Sequence, residues 1–391
     1  MRYSRFVTRV VMVAAALGLV MLPQASAQAS SHEVVIGVPL SVSGPAGEYG
    51  RQQRIATDMA VEDINAAGGI KGKKLRVIHY DDASKPDECI NVVRRLIERD
   101  KVFALAGPLL SSCTLVTFPI ANRAQVPIVS SASSAPGIGA KNRPWAFRNT
   151  TLEADSAWPA LEYWVKKNKI KSVAIFVDNK DIVSKANGTI VVPSLLKILN
   201  VELLDTVSFQ SGNVDFSAHV TKVKQLNPGG IVIAALQNEG AGVAREVRRQ
   251  GMQQSFWGPQ PLAVPTFIEL GGKATEGTII AAGLWLDSPD PKIAAWVKRY
   301  VDLDPFHRRP HFVAIFQYET MWIYKNCIEK SGATLDPKDL ESDRVKVRDC
   351  WQNLKDHPVL SGTMSINEDG DGKRKALILE VRNGKFEIVN P

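Results

Sequence analysis

The stretch from Val34 to Asp82 constrains the fold of this chain more than any other. Val34-Val35-Ile36-Gly37-Val38 is a short apolar, β-branched run, the pattern of a buried strand. A small-residue loop, Ser41 to Gly50, follows it. Ile55, Met59, Val61 and Ile64 then lie on an apolar stripe at helical spacing. Gly68-Gly69 ends that helix, because glycine accepts the left-handed conformation of C-caps. Leu75-Arg76-Val77-Ile78 begins a second strand. Strand, helix and strand within about fifty residues predict a βαβ crossover with parallel strands. Ligands of such sheets sit beyond the carboxyl ends of the strands, which places loop 41–50 at a binding crevice.

The alternation repeats down the chain. Ile90, Val93, Leu96 and Ile97 mark a helix, Val102 to Ala106 a strand, and Ser111-Ser112 can cap the next helix. Val126 to Val129 is a strand that runs into a serine-rich loop, Ser130 to Ala135. Beyond Phe147-Arg148-Asn149-Thr150 the same grammar restarts. Strands are predicted at Val173–Val177, Val201–Val207, Ile231–Ala235, Phe256-Trp257 and Gly277–Ala281, with helices between them. Two alternating stretches separated near Thr150 predict two α/β domains. The last hundred or so residues break the pattern. They hold helices around Ile293–Tyr300, Phe312–Lys330 and Val345–Leu354, then short strands at Gly362–Ile366, Ala376–Val381 and Phe386–Val389. Asn383-Gly384 is a hairpin turn.

The N-terminus reads as a secretory signal. Arg2, Arg5 and Arg9 form a basic start, Val10 to Leu22 is apolar but too short to span a bilayer comfortably, and Ala25-Ser26-Ala27 is a small-residue cleavage site. Removal of residues 1–27 takes the formal charge from +8 to +5. The remaining Lys and Arg are scattered among acids on predicted helices, the pattern of a solvated surface, so no nucleic-acid partner is expected. Export makes disulfides plausible. The four cysteines allow three pairings, and sequence alone does not choose among them. Cys89–Cys113 and Cys327–Cys350 are favoured. Cys89 and Cys113 open helices that start on one rim of a parallel sheet, and Cys327 and Cys350 lie on successive helices. Each loop of roughly 25 residues would gain about 3 kcal/mol in the loop-entropy estimate. The cysteines lack C-x-x-C spacing and the six histidines lack ligand spacing, so neither a metal nor another cofactor is expected.

Three segments carry a family resemblance: the S-G-P-x-x-x-x-G loop from Ser43 to Gly50, the run E-D-I-N-A-A-G-G-I-K-G-K-K-L from Glu62 to Leu75, and Asp81-Asp82. Together they resemble type I periplasmic binding proteins, in particular the leucine/isoleucine/valine-binding proteins of ABC importers. The resemblance covers nearly all of the mature chain. It implies an α/β fold of two Rossmann-like lobes joined by a three-strand hinge. Residues 28–150 and 284–358 would form the first lobe, and residues 151–283 and 359–391 the second. The crossings would fall near Thr150, Gly283 and Pro358. It also implies a periplasmic location, a small carboxylate ligand in the cleft, and a membrane permease as partner. A monomer is expected.

The resemblance further implies the ligand-binding residues. Tyr49 takes the position of an aromatic that covers the ligand. Ser111 and Ser112 resemble the serine loop that holds the ligand carboxylate, where hydroxyls and helix N-terminal N–H groups stabilise an anion. In the second serine loop Ala132 offers a carbonyl, beside Ser133, and Ser134 offers its amide and hydroxyl. The second lobe departs from the pattern. Relatives that bind leucine carry a carboxylate for the ligand ammonium where this chain has Gln260, and Gln237 stands at an aromatic position. The usual tyrosine-glycine is replaced by Asp178-Asn179-Lys180-Asp181-Ile182. Glu153 matches an acidic position near the first crossing, and Glu239 is a second possible acid. An ammonium facing only an amide would be costly to bury. The ligand is therefore either an amino acid or an aromatic or other organic acid without an ammonium.

Other motifs are weaker. Asn367-Glu368-Asp369-Gly370-Asp371-Gly372 mimics the start of a calcium loop, but its twelfth position is Ile378, so it reads as a polar turn. Asn187-Gly188-Thr189 fits a glycosylation triplet. The chain has no G-x-S-x-G elbow, H-E-x-x-H motif or P-loop, so an enzyme ranks below a binder. A ligand-sensing module working through a separate signalling partner is the other alternative.

Overall fold

The computed structural model describes residues 32–286 and 288–389. The expected signal peptide lies outside the described residues. β1 (Glu33–Leu40), α1 (Gly47–Ala66) and β2 (Lys74–Asp81) form the expected parallel crossover, with Ile36 level with Val77. α2 (Pro86–Arg94), β3 (Ala104–Ala106), α3 (Ser111–Arg123), β4 (Ile128–Ser130) and β5 (Ala146–Thr151) follow. The second unit holds α4 (Glu153–Asn168), β6 (Ser172–Asp178), α5 (Ile182–Ala186), α6 (Val192–Ile198), β7 (Glu202–Phe209), α7 (Ser217–Leu226), β8 (Gly230–Ala234), α8 (Gln237–Arg249), β9 (Ser255–Gly258), α9 (Pro265–Gly271) and β10 (Ile279–Ala282). The chain then continues through α10 (Pro291–Leu303), α11 (Phe312–Lys330), α12 (Leu340–Gln352), β11 (His357–Val359), β12 (Gly362–Ile366), β13 (Asp371–Lys373), β14 (Leu377–Arg382) and β15 (Lys385–Ile388).

Two sheets result. The first runs β11-β12-β13-β5-β4-β3-β1-β2, and the second β15-β14-β10-β9-β8-β6-β7. In each, the first strand has the next two strands of the chain on opposite sides: β1 lies between β2 and β3, and β6 between β7 and β8. That reversal opens a crevice at the carboxyl ends of the strands. It aims loops 41–50 and 107–112 of one lobe, and loops 179–182 and 235–239 of the other, at a common gap.

The C-terminal third binds the lobes together. α10 and α11 return to α1, where Arg299 donates to Asp63 at 2.6 Å and the Tyr318 hydroxyl donates to Asp63 at 2.8 Å. The strands after α12 depart from the expected division. β12 and β13 join the first sheet, β13 lying parallel to β5, so the last passage between sheets falls after Lys373 and not near Pro358. The reason is side-chain burial. Met364 and Ile366 pack with Trp351 and Leu354 of the first lobe, and Asp371 pairs with Arg148 of β5. The passage is pinned by Arg374, which bonds Asn149, Ser361 and Glu319; the Arg374 and Glu319 side chains are 3% and 1% exposed. The hairpin at Asn383-Gly384 has positive φ at both residues, as its sequence requires.

Both favoured disulfides are present, Cys89–Cys113 and Cys327–Cys350, with Cα separations of 5.6 and 5.5 Å. Among the described residues no helix is long and apolar enough to cross a membrane.

Candidate functional site

The paired acids Asp81 and Asp82 brace the first loop. Asp82 accepts from the Ser41 hydroxyl at 2.6 Å, and Asp81 from the Val42 amide at 3.0 Å and the Ser43 hydroxyl at 2.5 Å. Gly50 lets the loop close, since a Cβ there would lie 2.1 Å from the Ser41 carbonyl oxygen. Gly50→Ala is accordingly expected to destabilise the fold by about 1–3 kcal/mol, the usual cost of overpacking. A urea midpoint equal to that of the parent protein would show that the loop yields freely.

The loop delivers Tyr49 to an interlobe cavity of about 60 Å³. Its walls include Tyr49, Leu110, Ser111, Ala132, Ser134 and Glu153, joined by Asp181, Leu236, Pro261, His311 and Phe312. Five of the residues expected from sequence thus share one cavity, although they come from four separate loops and helix ends. Ser111 opens α3, whose N-terminus has no side-chain cap, so its first N–H groups are available to an anion. The Ser111 hydroxyl meets that of Ser133 at 3.0 Å and accepts from the Ala135 amide at 3.3 Å.

The remaining expected residues sit around this cavity and not in its wall. Ser112 is partly exposed, and Ser133 is buried behind Ser111. Gln237 accepts a hydrogen bond from the Tyr49 hydroxyl across the gap, a link between lobes. Gln260 is fully buried one residue before Pro261, with its amide 3.6 Å from where a Gly283 side chain would begin. Its neutral side chain is therefore set against the hinge. Glu239 accepts from the Gly212 amide at 2.7 Å instead of joining the wall.

Glu153 is the chemical centre. It opens α4, is 1% exposed, and accepts from the Ser134 hydroxyl at 2.8 Å and the Asn187 amide at 3.1 Å. Burial pushes its carboxyl up to about 7, against which hydrogen bonds from Ser134, Asn187 and the Gln260 backbone act only in part. Asp181 caps α5 by accepting from the Ser184 amide at 2.8 Å, and burial raises its carboxyl too. Burial likewise drives the Tyr49 hydroxyl well above 10. The described wall therefore presents two acids and neither lysine nor arginine.

Several of these residues carry no obvious signal in sequence. Asn187 reads there as a glycosylation site, yet it is fully buried in a turn of π-helix, Asn187–Val191, and donates to Glu153. Such turns re-aim side chains and recur at functional sites. Asp181 was legible only as part of a replaced loop, although an Asp before a helix is a cap signal. Arg148, a charge in an otherwise buried strand, is 0% exposed and bonds the carbonyls of Ser133 and Ala135, which holds the serine loop in shape.

Two α/β lobes with facing switch-point loops, hydrogen-bonded across a small, mostly apolar cavity that carries a few polar side chains, define a bilobal binding protein. The chain belongs to the periplasmic binding protein family, whose model matches residues 33–385. It is 29% identical over 256 residues to the Leu/Ile/Val-binding protein of Escherichia coli (strain K12), covering 65% of this chain and 69% of that one. It is 26% identical over 348 residues to an amino acid binding protein of Pseudomonas aeruginosa, covering 87% and 88%. The fold matches a branched-chain amino acid transporter substrate binding protein from Streptococcus pneumoniae, solved with isoleucine, at a TM-score of 0.80 and 23% identity, over 92% of this chain and 100% of that one.

Proposed function

We propose that the protein, exported by the signal in residues 1–27, captures a zwitterionic amino acid between its lobes in the periplasm and presents it as a monomer to the permease of an ABC importer. The observation that carries this reading is the unpaired acid. Glu153 is buried in the cavity wall beside Asp181, with no cation among the described residues of that wall. A ligand ammonium supplies the missing positive charge, and the open N-terminus of α3 receives the carboxylate. Gln260 loses its weight as an argument for a ligand without an ammonium, because Glu153 stands in the wall where Gln260 does not.

Capture follows from the hinge. The ligand docks on the serine loops of the first lobe, and the second lobe closes over it. Tyr49 with Gln237, and Thr266 with Glu48 at 2.8 Å, hold the closed arrangement across the gap. Relatives that bind amino acids, including the E. coli and P. aeruginosa proteins above, support this reading.

Acidity tests it. In the free protein Glu153 is protonated below about 7, and an ammonium binds only its charged form. Calorimetric affinity for leucine or threonine is expected to fall as pH drops from 8 to 5.5, approaching tenfold per unit below 7. Benzoate binding that is tighter than that of any amino acid, and strengthens on acidification, would defeat the proposal.

A further inference from the structure

Among the described residues, the wall of the cavity has one polar side chain whose hydrogen-bonding atoms find no partner. The Tyr49 hydroxyl is bonded to Gln237, Ser111 to Ser133, Ser134 and Glu153 to each other, and Asp181 to the start of α5. His311 is 1% exposed, lines the same cavity, and has neither Nδ1 nor Nε2 partnered. Buried polar atoms in native proteins are almost always satisfied, so such a group in a binding cavity points to a ligand.

Its place in the fold says which part of the ligand it meets. Ser134 and Glu153 come from the loops after β4 and β5. His311 precedes α11 and leans on α1, the helix that follows β1: its amide donates to Gln52 at 2.5 Å and its ring lies 5.1 Å from that of Tyr49. β1 and β4 are separated by β3 in the sheet. The acid and serine end of the cavity holds the charged groups of an amino acid. By strand order His311 lies on the β1 side, near Tyr49 and next to Phe312 and Val313, which also line the wall, and we assign that side to the ligand's side chain. Burial keeps its imidazole neutral, well below 6.5, so it offers one N–H donor and one bare nitrogen acceptor.

We propose that the ligand of this cleft is an amino acid whose side chain carries a hydroxyl, and that His311 selects it. The inference rests on the amino-acid reading above. A hydroxyl both donates and accepts, so it satisfies whichever ring nitrogen faces it. An aliphatic or plain aromatic side chain leaves the imidazole buried and unpaired, and sites built to bond a polar group reject ligands that lack it.

The test compares near-isosteric pairs, threonine with valine and tyrosine with phenylalanine, titrated into the full protein by calorimetry. The hydroxyl-bearing member of at least one pair is expected to bind about ten- to a hundredfold more tightly. His311→Phe should reduce that ratio to about threefold or less, and His311→Asn, which keeps a donor and an acceptor, should restore part of it. Thermal melts confirm that each variant folds, and the ratio in the parent protein needs no variant at all. Equal or tighter binding of valine and phenylalanine overturns the inference and leaves the amino-acid reading standing. A preference that survives in His311→Phe assigns selection to another residue and also overturns it. Failure of all four amino acids to bind overturns both.

Discussion

Glu153→Gln is expected to weaken amino-acid binding by about 2–5 kcal/mol while making the ligand-free protein more stable at neutral and alkaline pH. The first effect is the loss of one partner from a desolvated charge pair, which leaves the ligand ammonium buried against a neutral amide. The second follows from linkage. The carboxyl has an ordinary value of 4.5 and a folded value of about 7. Between those values the folded state keeps a proton that the unfolded state has released, so stability falls as pH rises through this window. By pH 8 the deficit reaches about 3 kcal/mol. Glutamine does not titrate, and the Ser134 hydroxyl can turn to accept from its amide. Urea unfolding at pH 4 and pH 8 should show parent and variant alike at the lower pH and the variant ahead at the higher. A variant less stable than its parent at pH 8, with binding intact, would remove Glu153 from the centre of the site. The combination expected here, gained stability with lost function, marks a group held in an unfavourable state for the sake of its ligand.

Asp371→Ala is expected to cost about 3–5 kcal/mol of folding stability, because it strands a buried guanidinium. Arg148 and Asp371 meet at 2.6 Å with side-chain exposures of 0% and 5%. Arg148 also bonds the carbonyls of Ser133 and Ala135, so the same ion pair shapes the loop that carries Ala132 and Ser134 into the cavity. A double replacement, Arg148→Met with Asp371→Leu, separates the two roles. Apolar side chains of similar volume can recover most of the stability, but they give the loop carbonyls no donor, so ligand affinity should stay low. Denaturant midpoints and calorimetry on the two variants read both quantities. A single variant within about 1 kcal/mol of the parent, or a double variant with full affinity, would mean that the pair does not support the site.

This pair also shows where reading the sequence stops. Asp371 lies in the segment Asn367–Gly372, which reads as a polar turn, and Asn367 does turn there, bonding the Asp371 amide at 2.8 Å. Nothing local announces that the carboxylate reaches β5, more than two hundred residues earlier in the chain. The strand Gly362–Ile366 was recognisable as a strand from its own residues, but its sheet was not. Membership depends on Met364 and Ile366 finding Trp351 and Leu354, a choice among surfaces and not a property of the segment. Asn187 is the same lesson in the site: its triplet invites one reading, and a π-turn buries it against Glu153.

What the residues in order determined was the alternation of strand and helix, the small-residue loop ending at Tyr49 and Gly50, the two serine loops and the hairpin at Asn383-Gly384. These rest on periodicity, turn chemistry and positions along one crossover, all of which act over a few tens of residues. Only the tertiary structure decided that Asp181, Asn187 and His311 belong with Ser111, Ser134 and Glu153, that Gln260 stands back from the cavity, and that the chain changes lobes after Lys373. Those outcomes depend on which helix ends the two sheet reversals bring face to face, and on which buried charges find partners. Both are set by contacts between segments far apart in sequence, whose energies no single segment contains.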